Sequence, residues 1–181
     1  MPWVLSVLAI AVYLALAQQT GTPTTISPFS DVSPPQEKPL RFVTSLPAFE
    51  ATDLTGKYWS TANLRGKVTF IDIWATFCIP CRAEHPEIQR FYDKVQNSPD
   101  IQVLTFAVDA DPSVVEKYMR EKKFNFPVIV GPELAESLFT RTGGLPKQWV
   151  VDRVGRRTER FEDYAIGHLL YEVERLAKSS H

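Results

Sequence analysis

The sequence predicts an α/β fold: a central mixed sheet flanked by helices, with a β-hairpin extension on its N-terminal side. Three observations predict it. Residues 68–74, VTFIDIW, form an almost continuous apolar run, as a strand covered on both faces requires. Helix-like and strand-like patterns alternate after that run, which favours a sheet sandwiched between helices. Ahead of it, two short strand patterns flank Asp53 to Lys57, with a turn at Thr55-Gly56.

The elements follow in order. Arg65-Gly66-Lys67 leads into the strand Val68 to Trp74. A helix begins at Cys78, because Ile88, Phe91, Tyr92 and Val95 recur on one helical face. Pro86 falls inside that helix, removes an amide donor and is expected to kink its axis. Residues 101–108, IQVLTFAV, read as the next strand. Asp111-Pro112 supplies an N-cap acceptor and a first-turn proline for a helix reaching Lys123. FPVIV, residues 126–130, is a further extended segment. A helix is expected over Pro132 to Arg141, stopped by Gly143-Gly144. Lys147 to Asp152 and the segment after Gly155 read as a hairpin. Ile166, Leu169, Leu170, Val173 and Leu176 mark a final amphipathic helix.

The chain of 181 residues is long enough for one sizeable core. Its composition, 44% hydrophobic and 23% charged, is that of a globular protein. A formal net charge of -1 leaves no basic surface to neutralise phosphates, so nucleic acid is not an expected partner. Residues 1–17 carry no charged side chain, and Val4 to Ala17 form an apolar run shorter than the ~20 residues of a membrane span. The run ends in Ala15-Leu16-Ala17, a small-x-small pattern suited to signal peptidase, although no Lys or Arg precedes it. We read a signal peptide here; a short membrane anchor through residues 3–17, or a buried helix, are the alternatives. Residues 18–40, rich in Pro, Thr, Ser and Gln, read as an extended linker. The globular domain then covers residues 41–181. There is no internal repeat and no Gly-rich phosphate loop.

Both cysteines lie in DIWATFCIPCRAEHP, residues 72–86. A C-x-x-C pair can clip the chain, hold a metal or pass electrons. Cys78 opens a helix, where unpaired amides and the dipole favour a thiolate. Such placement brings a cysteine pKa from about 8.5 to roughly 3.5–7.5. Pro80 has no amide hydrogen, so the amide of Cys81 is the nearest expected donor to the Cys78 sulfur. Cys81, one turn in, faces inward. The outer sulfur would attack a substrate disulfide, and the inner thiol would resolve the mixed disulfide. Resolution needs a base. Asp72, on the buried strand, should have a raised pKa and accept the Cys81 proton directly or through water. A structural acid near the strand end is the plainer alternative. Glu84, one turn beyond Cys81, is a second acid of the same kind or an ordinary exposed glutamate.

FIDIWATFCIPCRAEHPEI resembles the thioredoxin superfamily, and specifically the TlpA-like branch related to ResA and CcmG. Upstream, LPAFEATDLTGKYWSTANLRGKVTFID is similar to the branch's opening strands and its Leu-Arg-Gly-Lys run. Downstream, GGLPKQWVVDRVGR is similar to its Gly-x-Pro segment, strand and Asp-x-x-Gly turn. The resemblance covers about residues 44–178. It implies a thioredoxin fold and an extracytoplasmic thiol-disulfide oxidoreductase acting on protein disulfides. It implies that Cys78 is the nucleophile, Cys81 the resolving cysteine and Asp72 the buried acid, with Glu84 matching an acid near the site. Pro146 would be the cis-proline beside the dithiol, and Leu145 would offer its backbone to a substrate peptide. Trp74, Phe77 and Pro80 around the cysteines are further candidates for substrate contact. The active group would be the Cys78–Cys81 disulfide itself, with no other cofactor. A membrane thiol carrier of the DsbD/CcdA type would keep it reduced, and a monomer is expected. Residues Asp72 and Pro80 lean towards the reducing direction by analogy with thioredoxin.

Departures are specific. Phe77 stands where Trp usually precedes the first cysteine, and Lys147-Gln148 replaces a small hydroxyl pair. The Gly-x-Pro segment lacks the Pro-Glu pair of dedicated cytochrome c maturation proteins. The rival function is a copper or other metal chaperone using Cys78, Cys81 and His85; structural zinc would need a fourth ligand. Otherwise His85 reads as a solvent-facing helix residue. A peroxidase would need a proline and a hydroxyl before its cysteine, where this chain has Ile73 and Ala75. Trp3, Trp59, Trp74 and Trp149 read as core or anchor residues, and Arg153, Arg156 and Arg157 as charges solvating a hairpin.

Overall fold

The computed structural model describes residues 41–139, 144–158 and 165–179. The expected signal peptide or anchor and the linker, residues 1–40, lie outside the described residues, as does Gly143. Among the described residues no helix is long and apolar enough to cross a membrane.

The strands are β1 (Phe42–Ser45), β2 (Glu50–Thr52), β3 (Tyr58–Ser60), β4 (Val68–Trp74), β5 (Ile101–Ala107), β6 (Val128–Val130), β7 (Lys147–Val151) and β8 (Arg156–Thr158). The helices are α1 (Thr61–Leu64), α2 (Ile79–Val95), α3 (Pro112–Lys122), α4 (Pro132–Leu138) and α5 (Ile166–Lys178). Strands β1-β8-β7-β4-β5-β6, in that spatial order, form one sheet. Strand β4 runs parallel to β5 and antiparallel to β7, so the sheet is mixed. Strands β2 and β3 form a separate hairpin.

Every residue of β4 is buried. Phe70 and Trp74 point to one core with Ile88 and Phe91 of α2, Tyr118 of α3 and Leu169 of α5. Ile71 and Ile73 point to the other, with Phe106, Leu138 and Trp149. This two-sided cover explains why β4 reads as a continuous apolar run rather than an alternating one. Asp72 shares the α2 side by strand alternation.

The turns are held by side-chain acceptors. In the β2–β3 hairpin, Asp53 accepts from the Thr55 and Lys57 amides at 2.8 and 3.1 Å and from the Trp59 indole at 2.8 Å. Gly56 there has φ +85°, which a side chain would strain. Asp152 likewise accepts from the amides of Val154 and Arg156 at 3.1 and 2.8 Å, around Gly155 at φ +88°. Helix α3 begins as expected, with Asp111 accepting from the Ser113 amide at 2.9 Å.

Two expectations need correction, and two short elements carry no sequence signal. Helix α4 ends at Leu138, not Arg141: Phe139 turns extended and is buried, its ring 4.5 Å from that of Trp149. Edge strand β1 and the single turn α1 carry too few residues to give a period. Arg153 is a cross-link, not a solvating charge. It donates to the Gly66 carbonyl at 2.8 Å, to Asp100 at 2.9 Å and to the Ala177 carbonyl at 2.7 Å.

Candidate active site

Strand β4 runs out at Trp74, and a short turn delivers Cys78 to the start of α2. Asp109, just past β5, ties this turn down. It accepts from the Thr76 amide at 2.9 Å and from the Thr76 hydroxyl. Cys78 is the N-cap of α2, and its sulfur accepts from the Cys81 amide at 3.2 Å. The donor that proline at position 80 singles out is therefore the one observed. Cys78 and Cys81 form a disulfide with an S–S distance of 2.04 Å.

The two cysteines differ in access. Cys78 is 8% exposed and Cys81 1%. Phe77 and Ile79, the chain neighbours of Cys78, are 72% and 77% exposed, so the outer cysteine is bracketed in sequence by two exposed apolar side chains. Pro80 is exposed as well. Trp74 requires a correction as a substrate contact. It is fully buried, and its indole donates to the Thr105 hydroxyl at 3.1 Å. The apolar run that makes β4 a central strand encloses it. Pro146 follows a cis Leu145–Pro146 bond and leads directly into β7.

Two carboxyl groups flank the cysteines in the chain, Asp72 on β4 and Glu84 on α2. Asp72 is buried, and its carboxyl rises to about 8 because burial disfavours its charge; Glu84 adds to the rise and the Gln148 amide opposes it. Glu84 is half-buried and also raised, by burial first, against the Gln148 hydrogen bond and with the Glu87 charge. The Gln148 side-chain amide donates to Asp72 Oδ1 at 3.3 Å and to Glu84 Oε2 at 2.7 Å. Gln148 was legible in the sequence only as a departure from the family pattern. Antiparallel pairing of β4 with β7 sets it opposite Asp72.

His85 also requires correction. It is fully buried, not solvent-facing. Its Nδ1 lies 2.9 Å from the Tyr118 hydroxyl, and Trp74, Tyr118, Phe124 and Phe126 surround the ring. Burial, reinforced by the Arg82 charge, lowers it to about 4. Among the described residues, no group of three or more His, Cys, Asp or Glu side chains is placed to hold a metal ion. Spacing placed His85 one turn beyond Cys81; only the packing of α3 shows that this face of α2 is covered.

A cysteine pair at the N-terminus of a helix that leaves a central strand of a mixed sheet, with a cis-proline leading into the strand paired with it, defines a thioredoxin-fold protein with a dithiol site. The AhpC/TSA family profile matches residues 44–156, more than half of the chain, and the chain belongs to that family. It is similar to the thiol-disulfide oxidoreductase ResA of Bacillus cereus, 27% identical over 114 residues. That match covers 63% of this chain and 65% of the relative, so the chain spans about two thirds of the length of that protein. Among solved structures it is similar to a thiol:disulfide interchange protein of the thioredoxin family from Chlorobium tepidum TLS. The TM-score is 0.64 at 25% identity, covering 77% of this chain and 99% of that one. A secreted thiol-disulfide isomerase from Corynebacterium glutamicum shares the fold, with TM-score 0.66 at 21% identity over 81% of this chain and 96% of that one.

Proposed function

We propose that this protein is an extracytoplasmic thiol-disulfide oxidoreductase that reduces disulfides in other proteins. The observation that carries the reading is the Cys78–Cys81 disulfide at the head of α2, with its outer sulfur on the Cys81 amide. The similarity to ResA supports it.

The cycle starts from the dithiol. The Cys78 thiolate attacks one sulfur of a substrate disulfide, forming a Cys78–substrate disulfide and releasing the other substrate sulfur as a thiolate. Cys81 gives its proton to Asp72, and the new thiolate attacks Cys78 Sγ. The Cys78–Cys81 disulfide forms and the second substrate sulfur leaves. Two electrons have passed from the dithiol to the substrate. Asp72 suits the proton step, because burial lifts its proton affinity to near that of a thiol, so its ionised form can take the Cys81 proton. A dithiol donor then restores the pair; a membrane thiol carrier of the DsbD/CcdA type fits an exported protein. Leu145, Pro146, Phe77 and Pro80 form the substrate face. We read the protein as a monomer, exported by residues 1–17 or anchored by them.

Insulin-disulfide reduction tests the reading. Cys78→Ser is expected to abolish it, and Cys81→Ser to accumulate mixed disulfides with partner proteins. Full activity in Cys78→Ser would overturn the assignment.

A further inference from the structure

We propose that Gln148 is a positioning residue that binds Asp72 and Glu84 into one proton-sharing pair, so that the proton leaving Cys81 is held between two carboxyl groups. The inference rests on the dithiol reading above and names how its proton is handled.

The geometry is specific. A glutamine amide nitrogen carries two hydrogens. In Gln148 that nitrogen lies 3.3 Å from Asp72 Oδ1 and 2.7 Å from Glu84 Oε2, one hydrogen for each acid. The arms come from three elements: Asp72 from β4, Glu84 from α2 and Gln148 from β7, with Asp72 and Gln148 directly paired across the strands. Directly opposed residues on one sheet face meet side by side. Asp72 Oδ2 is buried with no hydrogen-bond partner among the described residues. An ionised oxygen left so is costly, and a protonated one far less so. That oxygen carries the proton while Asp72 holds it, and the Gln148 amide then serves the ionised Glu84.

Among the described residues, the charges that act on the pair are its own two members and Glu87, which faces Gly167 of α5 and raises Glu84. Strand β5 sets the neutral Thr105 beside Asp72. Lys147, the buried neighbour of Gln148, alternates to the opposite face of β7. The amide is thus the group that opposes the rise of both acids. Without it, both carboxyl groups would lose a donor to their charged forms and keep their protons to higher pH.

The test combines titration and turnover in the full chain. In the wild-type protein, the side-chain amide signals of Gln148, followed by ¹⁵N–¹H NMR, are expected to shift with pH at the midpoints of both carboxyl carbons. An amide insensitive to either midpoint would overturn the proposal without any variant. Gln148→Met keeps the length and removes both hydrogens. It is expected to move both carboxyl midpoints up by about one unit, and the pH midpoint of mixed-disulfide resolution with them. Unmoved midpoints in a folded Gln148→Met protein would also overturn it. Wild-type protein unable to reduce insulin at any pH would instead defeat the dithiol reading, a result distinct from either.

Discussion

The imidazole of His85 stands edge-on to the indole of Trp74, with ring centroids 4.4 Å apart and planes at 80°. One ring belongs to the helix that carries the cysteines and the other to the strand that delivers them. The pair therefore packs α2 on β4 one turn beyond Cys81, in a setting where a charge is poorly tolerated.

Acid should loosen that setting. His85 is lowered to about 4, whereas an unfolded histidine titrates near 6.5. The unfolded chain then binds more protons between those values, so stability is present above pH 6.5 and is lost as pH falls towards 4. Urea unfolding at pH 7 and pH 4.5 is expected to show His85 costing the wild type about 2 kcal/mol over that window. His85→Phe should lack that component of the acid loss; an unchanged loss would locate it elsewhere.

Asp72 has the opposite sign. Its carboxyl is raised to about 8 from an ordinary value near 4. The folded chain holds the extra proton between those values, so stability falls as pH rises from 4 to 8. Asp72→Asn is expected to be more stable than wild type at pH 8, by on the order of 2 kcal/mol or more, and to slow resolution more than initial attack. Rapid-mixing kinetics with a chromogenic disulfide separates the steps. Equal slowing of both would count against a base role.

Phe77 and Ile79 expose apolar side chains beside the nucleophile, so their replacement should barely affect folding. Phe77→Ser with Ile79→Ser is expected to leave the melting temperature nearly unchanged. KM for peptide disulfides flanked by apolar residues should rise several-fold, with kcat little altered. An equal effect on hydrophilic peptides would rule out an apolar contact.

Asp109→Ala removes both bonds to Thr76. The expected loss is about 1–2 kcal/mol in chemical denaturation. Hydrogen exchange should locate the loosened amides between Thr76 and Cys78.

Much of this was legible in the chain. The run Val68 to Trp74 announced a doubly covered strand, because only such a strand tolerates apolar residues on both faces. Cys78, Pro80 and Cys81 announced the sulfur and its one nearby donor, because that relation is local. What stayed hidden depends on distant segments. Gln148 meets Asp72 through a strand pairing 76 residues apart in sequence. His85 is dry because Tyr118, Phe124 and Phe126 close over it, and helical spacing alone could not distinguish that face from a wet one. The early end of α4 was hidden for the same reason, since the burial of Phe139 against Trp149 outweighs another turn of helix.

The sulfur that caps α2 is also the atom that reacts. Cap strength depends on charge at a helix N-terminus, and a thiolate there is a stronger acceptor than a bridged sulfur. Folding and electron affinity thus close one thermodynamic cycle: any change that tightens the head of this helix around an anion must, by the same free energy, favour the dithiol over the disulfide and lower the drive to donate electrons.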